Sequence, residues 1–539
     1  MRLKLVWCVF CVCLCMANVM YAQVDTNWVF TLDGGSDGND RADDIIIAPD
    51  GNIYVSGIFD NGPNDDIGIL SLTPAGDTNW TFVYNGPNNG NEKGPVRLCC
   101  GDDGTIYAAG LVRGSDYDIG VFSLTPAGDT NWVYLYDGPN SGNEKGPLDI
   151  CCGADGNIYV TGIVKAGTDD IGILSVTPAG DTNWTFIYDG PENGNEAMPF
   201  LACAPDSTVY LAGVANAVTD DIVVLHMTGQ GDTSWSYLYD GPGSGNETVA
   251  DIIIGSDGNI YITGTAAAVN NDVLLLCMAA SGDTSWSFLY NGAADGDDAG
   301  TGTAFGSDGN VYVAGTVFNG TNNDILVLSY EPGVDTNWTY VYNGPSNNED
   351  WSNDIVFADG YAYVTGVIGF SNRDIGILCV NALGDTVWTF LYDGTNVASD
   401  EGRAIAYASG GTVYAAGYSK NTGTAEDVTV ISLSNTTAVY EHERTAGSLC
   451  LFTVTPNPFT SSAQITYSVP DDAHITLTVF DVAGRYVKTL IDGVLQNSIN
   501  TVDWNGTDET GKKLSNGIYF LELRCDGTRA ASEKVTLYR

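Results

Sequence analysis

The chain has 539 residues, and its 67 Asp and Glu against 20 Lys and Arg give a formal net charge of -47 at pH 7. A surface this acidic repels phosphate backbones and anionic lipid, so the composition excludes nucleic acid as a partner and argues against membrane-surface binding. A hydrophobic content of 44%, with 29 Tyr and 11 Trp, excludes a disordered chain, and the length allows one large domain and a small one.

Residues 1–22 have the pattern of a secretory signal peptide. Arg2 and Lys4 precede an apolar stretch from Leu5 to Met16, and cleavage is expected after Ala22, with Ala17 as an alternative. The stretch is short for a membrane anchor, and no second apolar run of about 20 residues follows it. We therefore expect a protein exported from a bacterial-type cell.

An Asp-Thr-x-Trp motif then recurs along most of the chain, with successive Trp residues 50 to 52 positions apart. Self-similarity at a fixed period is the signature of a repeat architecture. The eight motifs carry Trp28, Trp80, Trp132, Trp184, Trp235, Trp286, Trp338 and Trp388.

Each repeat predicts four short strands. In the first repeat, the runs "DDIII", "NIYVSG", "DIGILSL" and "TNWTFVY" are rich in β-branched and aromatic residues and are separated by Gly, Asp, Asn and Pro. Asp50-Gly51 between the first two runs is a hairpin-turn pattern. Four strands and a period near 50 favour a propeller blade over a β-helix or a string of sandwiches.

The order of the strands predicts a closed ring. The repeats begin with a lone fourth strand, Asp25 to Leu32, and end with an unaccompanied set of first, second and third strands over residues 404–433. These pieces complete one another as an eighth blade, and closure removes free sheet edges. We therefore predict an all-β protein in which residues 23–434 form an eight-bladed β-propeller, with each Trp packed between blades.

At this point a family resemblance is clear. The runs "DGNIYVTG", "DIGILSL" and "GDTNWTF" resemble the bacterial β-propeller repeat family whose name denotes seven blades. The resemblance covers residues 24–434. The number of repeats here departs from that name, since eight units are present.

Acidic residues recur at two positions in every repeat, and we expect both rings on one face of the propeller. The first-ring residue of each repeat lies in the Gly-rich loop after the fourth strand, and the second-ring residue lies at the start of the third strand. The first ring is Asp40, Glu92, Glu144, Glu196, Glu247, Asp298, Asp350 and Asp400. The second ring is Asp66, Asp118, Asp170, Asp221, Asp272, Asp324, Asp374 and Asp427.

Two interpretations of the first ring stay open. A carboxylate that accepts hydrogen bonds from loop N–H groups recurs wherever the loop recurs, which is a structural role. Alternatively, the first ring is a candidate set of metal ligands for Ca²⁺, which prefers carboxylate and carbonyl oxygens. No cofactor other than Ca²⁺ is suggested.

Catalysis has little support in the sequence. The chain has three His residues, His226, His442 and His474, which are too far apart in the predicted elements to form a zinc site. No nucleophile elbow or phosphate-binding loop is present. The carboxylates repeat blade by blade, whereas an active site normally breaks the symmetry of a repeat, so we expect a protein that is not an enzyme.

Nine Cys residues remain after signal cleavage. Cys100, Cys152 and Cys203 share one repeat position, and Cys277 and Cys379 share another. Recurrence within strands predicts small buried hydrophobic side chains at these positions, with no role as ligands. Cys450 and Cys525 in the tail are candidates for a disulfide.

Residues 435–449 are polar and are predicted to be a linker, and residues 450–539 predict a small Ig-like β-sandwich. The tail resembles the sorting domains of type IX secretion substrates and the related flagellar-hook-cap-like Ig domains. The matching motifs are Pro456-Asn457-Pro458-Phe459, Asp481 with Gly484-Arg485, Asp503-Trp504-Asn505-Gly506, Asn516-Gly517-Ile518-Tyr519-Phe520 and the basic residues Lys534 and Arg539. The resemblance implies recognition by an outer-membrane export machine; a stalk or adhesive module is the alternative.

These patterns predict a secreted or cell-surface scaffold that binds a protein or glycan and reaches the surface through the periplasm and outer membrane. A secreted hydrolase or lyase using the acidic mouth of the propeller is a second hypothesis. A structural component of a surface layer is a third.

Overall fold

The computed structural model describes residues 24–434, apart from 36–37, 63, 217–218, 244, 268, 370–372, 395–398 and 421–424, and residues 452–538, apart from 456–458, 469–473, 482–484, 495–498 and 526–527. The predicted signal peptide and linker therefore lie outside the described residues. The chain divides into two compact units, Met1–Asn435 and Thr436–Arg539. Every regular element in the described ranges is a β-strand, so the protein is all-β.

The first unit is built from four-stranded antiparallel sheets of the kind found in propeller blades. We number the sheets 1 to 8 in the order of their first strands. The first strands are β2 (Arg41–Ile47), β6 (Lys93–Cys100), β10 (Lys145–Cys152), β14 (Ala197–Cys203), β18 (Thr248–Ile254), β22 (Ala299–Phe305), β26 (Asp350–Ala358) and β30 (Glu401–Ala408). The second strands are β3 (Ile53–Asp60), β7 (Ile106–Arg113), β11 (Ile158–Lys165), β15 (Val209–Asn216), β19 (Ile260–Ala267), β23 (Val311–Phe318), β27 (Tyr361–Ile368) and β31 (Thr412–Lys420).

The remaining strands complete each sheet toward its outer edge. The third strands are β4 (Asp65–Leu72), β8 (Tyr117–Leu124), β12 (Asp169–Val176), β16 (Asp220–Met227), β20 (Asn271–Met278), β24 (Asn323–Glu331), β28 (Asp374–Asn381) and β32 (Glu426–Ser434). The fourth strands of sheets 1 to 7 are β5 (Thr78–Tyr84), β9 (Thr130–Tyr136), β13 (Thr182–Tyr188), β17 (Thr233–Tyr239), β21 (Thr284–Tyr290), β25 (Asp335–Tyr342) and β29 (Thr386–Tyr392).

The fourth strand of sheet 8 is β1 (Asp25–Leu32), from the start of the described chain. It pairs antiparallel with β32, and Asp25 lies opposite Ser434 while Leu32 lies opposite Val428. The predicted pairing of the first strand with the last repeat is therefore confirmed. Within the described residues, eight four-stranded sheets form in the first unit, and each first strand packs on the first strand of the next sheet, with β30 packed on β2.

The burial pattern follows the position of each strand in its sheet. Second and third strands are almost wholly buried, whereas fourth strands alternate between exposed and half-buried residues. The predicted hairpin turns are present, because Gly51 has φ +81° and donates its N–H to the carbonyl of Ala48. This left-handed conformation is one that glycine adopts without steric cost.

The Trp side chains lie between neighbouring sheets, as predicted. Trp132 on β9 contacts Tyr107 of its own sheet, with the ring centroids 6.0 Å apart and the rings tilted by 39°. Its Nε1 donates to the carbonyl of Pro178 in sheet 3, at 2.9 Å. A Cβ atom added to Gly180 in the same turn would lie 2.8 Å from the indole. The indole therefore holds the third-to-fourth-strand turn of the next sheet in place.

The cysteine prediction is partly wrong. Cys99 is bonded to Cys152, and Cys151 is bonded to Cys203, so two disulfides join the first strands of sheets 2, 3 and 4. The repeat pattern was misleading because adjacent first strands place a Cys beside the next Cys of the following sheet, with Cα atoms 6.1 and 6.0 Å apart. Cys100 is free and half-buried, while Cys277 and Cys379 are free and buried, as predicted. Cys450 and the side chain of Cys525 lie outside the described residues.

The second unit is a small sandwich of two antiparallel sheets. One sheet has the order β33-β34-β37 and the other the order β36-β35-β38-β39. The strands are β33 (Phe452–Thr455), β34 (Ala463–Ser468), β35 (His474–Asp481), β36 (Tyr486–Val494), β37 (Ile499–Trp504), β38 (Gly517–Cys525) and β39 (Thr528–Leu537). Alternate residues of both sheets meet in one core around Trp504.

Several motif residues of the tail belong to that core. Trp504 is fully buried, contacts the rings of Phe459 and Tyr519 with centroid separations of 5.4 and 5.5 Å, and donates from Nε1 to the carbonyl of Thr507 at 3.1 Å. Tyr519 donates its hydroxyl to the carbonyl of Ser515. These positions explain the fold of the unit, whereas Pro456-Asn457-Pro458 and Gly484 lie outside the described residues. No helix within the described residues is long and apolar enough to span a membrane.

Candidate functional site

Both predicted acidic rings lie on the same face of the first unit. In seven sheets the first-ring residue donates its backbone N–H to the carbonyl of the residue just before the second-ring Asp; Glu144 N–H, for example, donates to the carbonyl of Tyr117 at 2.8 Å. The first-ring side chains are all buried, with at most 2% exposure. The carboxylates therefore lie between the sheets, and they do not line an open mouth as the sequence analysis expected.

In four loops the first-ring residue is Asp, and both of its oxygens accept backbone N–H groups. Asp350 Oδ2 accepts from Gly344 at 2.5 Å, and Oδ1 accepts from Gly369 at 2.8 Å. Asp40, Asp298 and Asp400 accept from the equivalent pairs of N–H groups at 2.5 to 2.8 Å. Each Asp thus ties a loop to the second strand of the following sheet, which is the structural role considered above.

In the other four loops the residue is Glu, and at least one carboxylate oxygen has no donor among the described residues; in Glu196 and Glu247 neither oxygen has one. Oε1 of Glu92 accepts from Gly86 and Arg113, and Oε1 of Glu144 accepts from Lys165 at 3.4 Å. The additional methylene carries Oε2 beyond the backbone groups. Among the described residues, Oε2 has no hydrogen-bond donor in any of Glu92, Glu144, Glu196 and Glu247.

The second ring lies beside the first. Asp66, Asp170, Asp221, Asp272 and Asp324 are buried, whereas Asp118, Asp374 and Asp427 are half-buried. In some sheets an exposed Asp at the end of the fourth strand joins them. Carboxylate oxygens within 4.8 Å of one another then form a triad, which we name by its first-ring member. The Glu144 triad contains Asp118 and Asp137, the Glu196 triad Asp170 and Asp189, the Glu247 triad Asp221 and Asp240, the Asp400 triad Asp374 and Asp393, and the Asp40 triad Asp33 and Asp427.

The electrostatics of the Glu carboxyls follow from their burial. Desolvation raises the pKa of Glu92, Glu144, Glu196 and Glu247 to about 7, although the backbone N–H groups oppose the rise. The neighbouring Asp118 has its pKa raised to about 6 by burial and by the charges of Asp137 and Asp116. A positive ion placed among these carboxylates would remove the repulsion.

A second set of carboxylates, which the sequence analysis missed, lies on the first strands around the axis. Asp44, Asp149, Asp251 and Asp354 occupy alternate sheets and are half-buried. Asp149 accepts the N–H of Ile150 at 2.9 Å and, across the sheet boundary, that of Leu201 at 2.8 Å. The other three bridge their own strand and the next in the same way, at 2.8 to 2.9 Å. Their recurrence in every second repeat was the sequence pattern that could have revealed them.

Two arginines break the symmetry of the axis. Arg97 of sheet 2 occupies the strand position that holds Asp in sheets 1, 3, 5 and 7. It is attracted to Asp44, Asp149 and, in sheet 7, Asp354. Arg403 in sheet 8 forms an ion pair with Asp43, with Nη1 and Oδ1 2.7 Å apart. Arg403 and Asp43 lie 360 positions apart in the chain, so the sequence alone does not reveal that they meet.

His226 belongs to the packed interior. Its ring stacks on Tyr210 with the centroids 4.4 Å apart and lies 5.4 Å from the ring of Trp235. Desolvation lowers the pKa of His226, so the imidazole is neutral near pH 7. It occupies the third-strand position held by Ser175 in sheet 3 and Cys277 in sheet 5, which identifies it as a variable packing residue.

Comparison with known protein families gives a match in the C-terminal unit. Residues 455–527 match the family described as the FlgD Ig-like domain, in agreement with the predicted flagellar-hook-cap-like Ig resemblance. No curated protein matches the sequence of the chain.

Solved structures with similar folds have different activities. They include PorZ, an essential surface component of the type-IX secretion system of Porphyromonas gingivalis (TM-score 0.36, 11% identity, 90% of this chain and 68% of that chain). They also include the polysaccharide lyase Uly1 (0.41, 10%, 63% and 89%) and the periplasmic gluconolactonase PpgL of Pseudomonas aeruginosa (0.43, 12%, 65% and 97%). The expectation that this protein is not an enzyme stays a prediction.

Proposed function

We propose that the protein is an exported, non-enzymatic scaffold in which an eight-bladed β-propeller presents a binding surface and the C-terminal Ig-like unit directs delivery to the cell surface. The observation that carries the scaffold proposal is the use of the repeated polar groups. Four first-ring Asp residues and four axial Asp residues each accept two backbone N–H groups at a boundary between sheets. These carboxylates are occupied in holding the ring together.

The arrangement of the sheets supports the eight-bladed ring. Eight four-stranded sheets occur in the described part of the first unit, and the contacts of their first strands run in a cycle from β2 to β30 and back to β2. Pairing of β1 with β32 joins the two ends of the unit. A closed ring has no unpaired inner edge, and the rim and loops remain for a ligand.

Export is supported by the chemistry of the cysteines and by both termini. Two disulfides between the first strands suit an oxidising compartment such as the periplasm or the cell exterior. The first 22 residues have the pattern of a signal peptide, and the tail matches an Ig-like family and carries the motifs of sorting domains. The proposed partner of the tail is the outer-membrane export machinery.

Truncation and transfer of the tail test the delivery proposal. In a host with the type IX system, the chain lacking residues 450–539 is expected to remain in the periplasm as a folded, disulfide-bonded propeller. Residues 436–539 fused to an unrelated cargo with a signal peptide are expected to carry that cargo to the surface. If the truncated chain reaches the surface, or if the fusion stays inside, the tail is a stalk or adhesive module.

An enzyme is the second candidate, and the asymmetric placement of Arg97 among the axial carboxylates favours it. Incubating the mature protein with an array of glycans distinguishes the two functions, because a scaffold retains intact glycans and a hydrolase or lyase releases fragments detectable by mass spectrometry. If the native protein releases such fragments and an Arg97→Met variant with an unchanged melting temperature does not, the protein is an enzyme and the scaffold proposal is wrong. Bound, uncleaved glycan would support it.

A further inference from the structure

The first ring is not uniform, and its two halves differ chemically. Glu92, Glu144, Glu196 and Glu247 follow one another in four successive loops, and the Asp members occupy the four loops of the other half. The Asp carboxylates are satisfied by two backbone N–H groups each, whereas every Glu holds a buried Oε2 atom that has no donor among the described residues. A buried carboxylate oxygen without a partner carries a desolvation cost that calls for a ligand.

We propose that the Glu144, Glu196 and Glu247 triads are three Ca²⁺ sites, one at each boundary from sheet 2 to sheet 5. In the Glu144 triad, Oε2 is buried while a carboxylate oxygen of the same side chain lies within 4.8 Å of oxygens of Asp118 and Asp137. Asp118 Oδ1 is likewise buried without a donor among the described residues. Three carboxylates at this spacing suit a hard cation with oxygen ligands, with water completing the shell on the exposed side of Asp137.

The ligands of one such site come from three segments. Asp118 opens the third strand of sheet 2, Asp137 follows its fourth strand, and Glu144 lies in the loop to sheet 3. Glu144 Oε1 already accepts the N–H of Lys165 at the end of the second strand of sheet 3. A cation in the triad therefore connects two neighbouring sheets at a point where the Asp-type loops use hydrogen bonds alone.

The remaining positions lack one or another part of the site. In the Asp400 and Asp40 triads, the first-ring carboxylate already accepts two N–H groups. Beside Glu92 the fourth-strand position is Asn85, and the Nδ2 group of Asn64 donates to Asp66 at 2.7 Å. Asn also replaces this Asp at positions 291 and 343. The proposal thus assigns cations to three of the eight loops.

Nearby positive charge does not fill the sites. Lys145 and Lys165 both form ion pairs with Asp169, at 2.5 and 3.1 Å, and Asp169 is not a triad member. The adjacent Asp170 accepts the hydroxyl of Thr168, and Asp221 accepts that of Thr219, through Oδ1 in both cases. Neutral hydroxyl donors leave the negative charge of these triads in place.

Direct binding measurements test the proposal on the mature, chelator-treated protein. Equilibrium dialysis with radioactive Ca²⁺ at constant ionic strength is expected to give three bound ions per chain, with Kd on the order of 10⁻⁴ to 10⁻³ M as in extracellular modules. Ca²⁺ at 10-fold above Kd is expected to raise the melting temperature by several degrees, because a ligand of the native state stabilises it by mass action. An equal concentration of Mg²⁺, which demands a smaller octahedral site, is expected to have little effect.

The chain itself supplies the variants. Asp137→Asn, Asp189→Asn and Asp240→Asn introduce the residue that already occupies positions 85, 291 and 343, so folding is preserved. Each substitution is expected to remove one bound ion, and the triple variant is expected to lose all three and the thermal shift. The matched control, Asp33→Asn with Asp393→Asn, alters the Asp40 and Asp400 triads and is expected to keep three ions. Absence of Ca²⁺ binding by the native protein, unchanged binding by the triple variant, or an equal loss in the control would each overturn the proposal.

Discussion

At the scale of single residues, the one methylene that distinguishes Glu from Asp changes the contacts of the first-ring carboxylate. Asp in the first ring reaches two backbone N–H groups at once, as Asp350 does with Gly344 and Gly369. Glu144 at the same position keeps the contact with the N–H of Lys165 through Oε1, and its Oε2 has no donor among the described residues. The carboxylate therefore occupies the same position in every repeat, but its contacts differ between the repeats with Asp and those with Glu.

The axial carboxylates predict a pH-dependent stability. Desolvation raises the pKa of Asp251 and of Asp354 to about 7, well above the value of an unfolded Asp. The stabilisation that belongs to the neutral acid is complete below pH 4 and is lost as the pH rises toward 7, and it amounts to about 4 kcal/mol per carboxyl. Arg97 and Asp149 face Asp251 and act in opposite directions.

Substitution at Asp251 and Asp354 tests this dependence. Asp→Asn at both positions removes one acceptor from each side chain and lowers the melting temperature at pH 5, but the variant is expected to lose less stability than the native protein between pH 5 and pH 8. Thermal melts at several pH values measure the difference, with Asp129→Asn plus Asp181→Asn, both at exposed residues, as the control for the loss of two charges. Parallel curves for native and variant protein would contradict the assignment.

The Trp-to-turn contact gives a second prediction at this scale. Gly180 and Gly333 lie one position apart in corresponding turns between third and fourth strands, with φ +90° and +74°. An added Cβ meets the Trp132 indole at Gly180 and nothing within 4 Å at Gly333. Gly333→Ala is expected to cost about 1 kcal/mol from the backbone alone. Gly180→Ala is expected to cost about 1 to 3 kcal/mol more because of overpacking. Equal free energies of unfolding for the two variants, measured in urea, would show that the Trp132 indole moves aside without cost and would contradict this prediction.

At the scale of strands and sheets, the two disulfide bonds lie in one part of the ring. The first strands of sheets 2, 3 and 4 are joined by Cys99–Cys152 and Cys151–Cys203, and the proposed cation sites lie at boundaries from sheet 2 to sheet 5. The opposite side relies on hydrogen-bonded Asp residues and on the Arg403–Asp43 ion pair. Different chemistry therefore holds the same geometry in different parts of the ring.

Removal of a disulfide tests its contribution. Cys99→Ala with Cys152→Ala is expected to lower the free energy of unfolding by about 2 to 4 kcal/mol, since the bond closes a long loop in the unfolded chain. Cys277→Ala, which alters a buried free thiol, controls for lost packing. Digestion without reductant and mass spectrometry should recover the 99–152 and 151–203 linked peptides; a 99–100 or 151–152 linkage would contradict the structure.

At the scale of the whole molecule, the ends of the first unit are joined by β1. This strand covers β32, which would otherwise be a free edge in sheet 8. Asn27 and Ser434 add a side-chain hydrogen bond of 2.7 Å between the two strands. Val24 packs in the core shared by sheets 7 and 8, beside the buried Trp388.

Deletion of residues 23–33 should therefore open the ring. The free edge of β32 is expected to pair with other chains, so the variant should elute as oligomers in size-exclusion chromatography with light scattering. A synthetic peptide of residues 23–33 added in excess is expected to restore the monomer. A variant that stays monomeric with an unchanged melting temperature would show that β1 is dispensable for closure.

The sequence by itself determined the strand pattern, the hairpin turns and the pairing of β1 with β32, because the Trp period and the Asp-Gly turns are local and repeat with little change. It also predicted the Ig-like tail, whose 455–527 segment matches a family. Only the tertiary structure decided which cysteines are bonded, which first-ring oxygens are left without donors, and that Arg97 lies among the axial carboxylates. The disulfides join residues 53 and 52 positions apart, and the first-ring carboxylates accept N–H groups 20 or 21 positions away in the next sheet. Such contacts exist only once neighbouring sheets have packed together.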